Sequence, residues 1–516
     1  MAESIVATER TLIVLLIVIS TVAIAVRRIR LPYTVALVLS GLAIAIFQPF
    51  PRFALTSDVI LSIFIPPIVF NAAFHLDLDE LRDNVGPILV LAVVGVVIST
   101  LIIGGIISLG AGLPLTIALT FAALISATDP IAVIAVFREL GVPRRLSHIV
   151  EGESLFNDGT SIVLFEILLI SLVLGRFDFL PSLSSFFFVT VGGMVLGTGV
   201  GFVISQLLRR IDDYLVEITL TSITAYGTYL VAEEIGISGV IAVVLAGVII
   251  GNYGARIGMS PTTRIVLVHF WEYATFIADS FIFLLIGLAV DVPLLMKNLP
   301  LIAWAIGAVL VGRAAVIYGL GTPLNHFTGR LSAQWRHVLF WGGLRGAIAL
   351  ALALALPAAV GNWRNPLRAM TFGVVLFTLL VQGTTIQWLL GRLGLSSQLP
   401  RRKEYELARA RLYATQAAWR RIRQLSQDGV LSPSVWNELN AEYHMTEEQL
   451  SNEIHTLYEE REELRREEML AARSDALRAE RIALQDLLRQ GLLSEGTYRE
   501  LVGEVDRRRE ALRDGT

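Results

Sequence analysis

The chain has no cysteine in its 516 residues. Disulfides, thiol nucleophiles and thiolate metal sites are therefore excluded. Charge is scarce over most of its length. Residues 1–399 carry 22 Lys/Arg and 22 Asp/Glu, whereas residues 400–516 carry 20 and 23, a density roughly three times higher. That shift marks a boundary between a membrane domain, 1–399, and a soluble tail, 400–516. Hydrophobic residues make up 54% of the chain and the mean hydropathy is +0.66, too apolar for a soluble protein of this size. The formal net charge of -3 points to no particular partner, and nucleic acid is not expected as one. The first apolar run, 11–26, precedes Arg27, Arg28 and Arg30. A cleavable signal peptide would place its basic residues before that run, so the run reads as a retained span.

A spanning helix needs roughly 20 apolar residues. Apolar runs bounded by charge, Pro or Gly predict about thirteen: 11–26, 32–48, 57–74, 85–109, 114–138, 147–174, 185–207, 215–233, 237–252, 265–290, 300–320, 335–356 and 367–391. With the N-terminus outside, fourteen arginines from Arg27 to Arg392 fall on inner connections, against six basic residues outside. The positive-inside rule then predicts a cytoplasmic C-terminus. Thr128-Asp129-Pro130 interrupts the fifth span and Gly342-Gly343-Leu344-Arg345-Gly346 the twelfth. Proline removes a helical hydrogen bond and disfavours helix in the residue before it. Breaks seven spans apart fit two inverted repeats joined by a linker span, with broken helices crossing mid-membrane. The predicted fold is thus an all-α membrane protein with a C-terminal cytosolic helical domain.

The chemistry concentrates at the first break and on the sixth span. Glu153 and Asn157 are i,i+4 and share a face; Ser154 and Asp158 are also i,i+4, about 100° further round. Broken helix frees backbone carbonyls, and carbonyl, hydroxyl and carboxylate oxygens suit a hard cation such as Na⁺. Burial disfavours the charged form of a carboxylate, so an acid here holds a proton or a cation, and not both well. Coupled to alternating access, that competition is antiport. A lone intramembrane acid is as often a structural partner as a functional group; a cluster beside a proline break is not. The mid-span Arg313 and Arg345 need acids. Glu153 with Arg313 and Asp279 near Arg345 is the favoured pairing, though spacing also allows the swap.

A cation channel would need a filter or ring of carbonyls or acids, and none is visible. A membrane aspartyl protease would need two carboxylates sharing a proton, such as Asp129 and Asp158. The broken helix and Asn157 tilt the reading to transport, with no enzyme activity and no cofactor.

SATDPIA at 126–132, VEGESLFNDGT at 150–160, FWE at 270–272 with FIFLLIGL at 281–288, and WGGLRGA at 341–347 resemble the sodium/proton exchanger branch of the monovalent cation–proton antiporters. PPIVF at 66–70 and LDLDELRDN at 76–84 fit the same family. The resemblance implies Na⁺ and H⁺ as transported ions, Asp158 as the main carboxylate, and help from Asp129, the Thr128 carbonyl and Ser154. It implies a Glu153–Arg313 pair and an Arg345 that offsets half-helix dipoles at the second break. It further implies a homodimer in the cell membrane, with a core moving like an elevator against a fixed domain. Asn157 before the essential Asp implies electroneutral exchange. K⁺/H⁺ exchange on the same fold is the alternative. Asn71 departs from many bacterial relatives, which carry a glutamate there.

In the tail, GVLS at 429–432 and GLLS at 491–494 recur at an offset of 62, each followed by an aromatic and Glu-Leu. Gly ending one helix and Ser capping the next, with Pro433 at a first helical position, predict two helical hairpins. Neither a phosphate loop nor a metal cluster identifies a ligand, so the tail reads as regulatory or dimer-supporting.

Overall fold

In the computed structural model the chain divides into two compact units, Met1–Ser397 and Gln398–Thr516. The structure describes residues 2–514 except 27, 29–31, 48–58, 177, 212, 256–258, 328–331, 396–398, 460–461 and 490–491. Arg27, Arg30, Arg52, Arg256 and Arg330 of the orientation argument, and Gly491 of the tail repeat, lie outside the described residues.

The first unit runs through α1 (Ala2–Val26), α2 (Tyr33–Phe47), α3 (Ile60–His75), a short α4 (Leu78–Asp83), α5 (Val85–Ala111), α6 (Leu115–Ser126), α7 (Ile131–Leu140) and α8 (Arg144–Leu174). It continues with α9 (Phe179–Leu208), α10 (Tyr214–Glu234), α11 (Gly239–Gly254), α12 (Pro261–Leu288), a short α13 (Val292–Lys297), α14 (Leu299–Phe327), α15 (Ala333–Trp341), α16 (Ala347–Ala355) and α17 (364–392). Among the described residues, eight helical stretches are long and apolar enough to cross a membrane, with α6–α7 taken as one. Four shorter apolar helices lie in α1, α2, α3 and α11. In lipid a helix satisfies its own backbone, which leaves the ends as the groups to cap. Ser238 and Ser260 accept from the N–H groups of Ile241 and Thr263, and Asp213 from those of Leu215 and Val216.

The first unit packs as two bundles that meet along a seam. In one, α12 lies along α2, and α11 nests among α3, α9 and α10. In the other, α5 lies against α6 and α14, α6 against α8, and α14 and α16 against α17. Across the seam α8 meets α9 and α11, while α16 meets α3 and α12. We call the first bundle the scaffold and the second the core. The α2–α12 contact depends on Gly41 and Gly287: a Cβ on either would sit 2.9–3.0 Å from the other's Cα. Small residues let membrane helices approach at backbone distance, so this joint tolerates little sliding.

Both interruptions are real breaks. Residues 127–130 are non-helical between α6 and α7, as are 343–346 between α15 and α16. The two breaks touch: the Asp129 N–H donates to the Leu344 carbonyl at 2.9 Å. Hydropathy did not foreshadow the π-helical turns at 60–64 in α3, 90–95 in α5, 250–254 in α11 and 378–382 in α17. Such turns recur at functional sites. The last presents the Thr378 hydroxyl to the Arg345 N–H at 3.1 Å.

The second unit holds α18 (Leu399–Gln427), α19 (Pro433–Glu459), α20 (Glu462–Arg489) and α21 (Glu495–Asp514), with α18 packed on α19 and α20 on α21. Gln416–Glu447 and Trp419–Asn440 hydrogen bonds, both 2.9 Å, join the first pair. Ser494 caps α21 through the Thr497 N–H at 3.3 Å. The Ser432 hydroxyl meets that of Ser434 instead of capping.

Candidate ion site at the crossing of two broken helices

Each broken helix leaves two half-helices with opposed partial charges at the gap. The Asp129 carboxylate lies at the N-termini of α7 and α16: Oδ1 accepts from the Ile131 N–H at 3.1 Å, and the Ala347 N–H also bonds to it. The C-terminal ends face arginines. Arg345 Nη1 donates to the carbonyls of Ser126, at 2.6 Å, and Ala127, at 3.1 Å, which end α6. Arg313 donates to the Leu339 carbonyl near the end of α15 through Nε at 3.2 Å and Nη2 at 2.9 Å. One carboxylate thus serves two positive helix ends, and one arginine serves each negative end. Arg345 lies at the second break and reaches across to the end of α6, while Arg313 serves α15.

Helix α8 presents its polar residues on two faces, because 3.6 residues complete a turn. Glu151, Ser154, Leu155 and Asp158 line a cavity of ≈ 90 Å³, room for several waters or a partly hydrated ion. Its wall also includes Thr128, Asp129, Pro130 and Asp279, residues 346–349, and Ile65, Ile68, Val69 and Ala72. Core and scaffold both contribute, so the cavity sits on the seam. Asp158 Oδ1 is buried and has no hydrogen-bond partner among the described residues. The Ser154 hydroxyl donates to the Thr128 carbonyl at 2.5 Å, and a carbonyl oxygen keeps a second lone pair. The side-chain donors around the cavity are all oxygen and four of them, Asp129, Glu151, Asp158 and Asp279, are carboxylates, a set suited to a hard cation.

The other face of α8 is structural. Glu153 forms a two-pronged pair with Arg313, Oε2 to Nη2 at 3.0 Å and Oε1 to Nη1, both residues buried. The sequence groups Asn157 with the ion and proton ligands. In the structure Asn157 lines a separate crevice with Ser99, Ser126, Arg313 and Arg345. There Nδ2 donates to Thr128 Oγ1 at 3.1 Å and Oδ1 accepts from Ser161 at 2.8 Å. Its amide binds α8 to the first break.

No described hydrogen bond or ion pair joins Asp279 to Arg345. Arg345 spends its hydrogen bonds on carbonyls, and Asp279 faces the cavity from α12. Sequence reasoning assigned no role to Glu151, although its spacing of seven from Asp158, two helical turns, carried the signal. Asn71 is not among the cavity-lining residues, whereas its neighbour Ala72 is.

Gly346 closes the crossing. A Cβ there would fall on the Asp129 carboxylate. Gly346→Ala is therefore expected to displace Asp129, destabilising the protein by about 1–3 kcal/mol and removing most transport. A thermal melt and a proteoliposome flux assay check this; wild-type flux would mean that the break tolerates a Cβ.

A family model described as "Sodium/hydrogen exchanger, transmembrane" matches residues 13–392. The Na⁺/H⁺ antiporter ApNhaP of Aphanothece halophytica is 45% identical over 396 residues, 76% of this chain and 75% of that protein. The Na⁺/H⁺ antiporter NhaG of Bacillus atrophaeus is 37% identical over 481 residues, 91% of each. The solved sodium proton antiporter MjNhaP1 of Methanocaldococcus jannaschii shares the fold, with TM-score 0.62 at 22% identity over 76% of this chain and 99% of that one. The agreement runs through the membrane unit and both of its breaks, and the chain therefore belongs to the sodium/hydrogen exchanger family.

Proposed function

We propose that the chain exchanges Na⁺ for H⁺ across a membrane, one for one and without net charge, with Asp158 holding each ion in turn. The observation that carries this reading is the unpartnered Asp158 oxygen beside a cavity on the seam of two bundles. Asp129, the Thr128 carbonyl and Ser154 complete the cation's shell. Asp158, Asp129, Thr128 and Ser154 all ride on the core, which moves against the scaffold like an elevator and carries the site from one face to the other. The rigid α2–α12 joint and the sparser seam favour that division. The chain has about thirteen spans, sits in the cell membrane and works as a homodimer. Its charged second unit is cytoplasmic and modulates activity. No enzyme chemistry and no resident cofactor enter: the oxygen donors serve an ion that passes through.

The stoichiometry follows from the carboxylates. With an amide, Asn157, rather than a second carboxylate before Asp158, one fewer acid is available to carry a second proton. In proteoliposomes an imposed Na⁺ gradient is expected to drive proton movement that is insensitive to voltage. A potential of about 100 mV acts on each net charge moved with about 2.3 kcal/mol. A one-charge exchanger would respond strongly, and a Na⁺-dependent current matching the flux would contradict electroneutrality.

A further inference from the structure

The cavity contains an acid that the exchange reaction above does not use. Asp279 lies on α12 of the scaffold, whereas Asp129, Glu151 and Asp158 belong to the core. It is 9% exposed and faces the cavity. No described hydrogen bond or ion pair ends on its carboxylate. A buried acid with a structural role has a cation or donors around it; Asp279 has the cavity. The hydroxyl of the next residue, Ser280, is already committed, to the Phe276 carbonyl at 2.5 Å and the Tyr33 hydroxyl at 2.8 Å. Two helical turns further on, Gly287 meets Gly41 at backbone distance. Asp279 is therefore anchored in the bundle that stays still when the core moves.

We propose that Asp279 is a cation-recruiting carboxylate that serves the site from one side of the membrane only. With the cavity as it stands here, Asp279 adds its negative charge to those of Asp129 and Asp158 and draws the cation inward. When the core carries Asp129 and Asp158 away, Asp279 remains behind. The site then meets the opposite face without it, so Na⁺ affinity differs between the two faces for a reason located in one scaffold residue. The inference rests on Asp158 as carrier and on movement of the core.

The test uses the full chain in proteoliposomes of known orientation, with Na⁺ presented to each face in turn. Asp279→Asn is expected to raise the KM for Na⁺ about tenfold, the size of one pKa unit of charge interaction, from one face only. From the other face KM stays at its wild-type value, and Vmax stays within about twofold throughout. Asp279→Glu, which keeps the charge, restores KM. An unchanged KM on both faces overturns the inference, as does an equal rise on both, which would indicate a structural or general electrostatic role. Asp279→Thr, small and neutral, carries the same expectation if Asp279→Asn is not recovered folded; failure of both to fold overturns the inference in favour of a structural role. Asp158→Asn in parallel separates the layers. Exchange surviving in that variant defeats the carrier reading itself, whereas an inactive Asp158→Asn beside a wild-type-like Asp279→Asn defeats the recruiting role alone.

Discussion

Asp158→Asn is expected to abolish Na⁺-driven proton movement while leaving the fold intact. Oxygen–cation contacts of about 2.4 Å correspond to an attraction of about 7 kcal/mol between unit charges at an effective dielectric of 20. An amide oxygen is a neutral donor and recovers only part of that. A loss of half weakens cation binding by more than about a hundredfold, at 1.4 kcal/mol per tenfold. The amide also has no proton to exchange in the working pH range, so the second half of the cycle fails as well. Asp158 Oδ1 has no hydrogen-bond partner among the described residues, so the substitution breaks no described hydrogen bond at that atom, and the melting temperature should stay near that of the wild type. A flux assay paired with a melt separates the two effects. Retained exchange would remove Asp158 from the mechanism.

The opposite pattern is expected for Arg313. Arg313→Met leaves the Glu153 carboxylate, 2% exposed, without its cation and the Leu339 carbonyl without its donors. Breaking a buried pair from one side costs about 3–5 kcal/mol, because the remaining charge is uncompensated. The loss should appear first as a lower melting temperature and poorer recovery of folded protein, with flux falling in proportion to the folded fraction. Replacing both residues, as Glu153→Gln with Arg313→Met, should return more than half of the lost stability, because the orphaned charge goes with its partner. A double-mutant cycle in detergent measures the coupling. A single-variant loss below about 1 kcal/mol would mean that Arg313 acts mainly as the α15 cap.

The parts of the site legible from sequence are those set by local periodicity. Glu153/Asn157 and Ser154/Asp158 are two stripes on any helix, and α8 delivers them to two separate spaces. Pro130 and the Gly342-Gly343 pair announce breaks because neither residue type sustains a helix interior. The choice of partners was not legible. Arg345 reaches the Ser126 carbonyl across 219 residues of sequence, and nothing near Arg345 names α6 as its target. The surroundings of Asp279 were illegible for a related reason: one acid in an apolar run reads the same whether it faces an arginine or a cavity. The Asn157 amide points where Thr128 and Ser161 draw it, a consequence of how α8 meets the first break. The tail hairpins follow from spacing alone, Gly429 with its left-handed φ of 72° ending α18 just before Pro433 opens α19.

Competition between proton and cation at one carboxylate is most directly measured as protons released on Na⁺ binding. Solubilised protein is titrated with Na⁺ in two buffers of different ionisation enthalpy, at a pH where the proton-loaded form predominates. Release of one proton per Na⁺ bound is expected for the wild type, and neither binding nor release for Asp158→Asn. Saturable Na⁺ binding with no proton released, or unchanged release in Asp158→Asn, would contradict the mechanism.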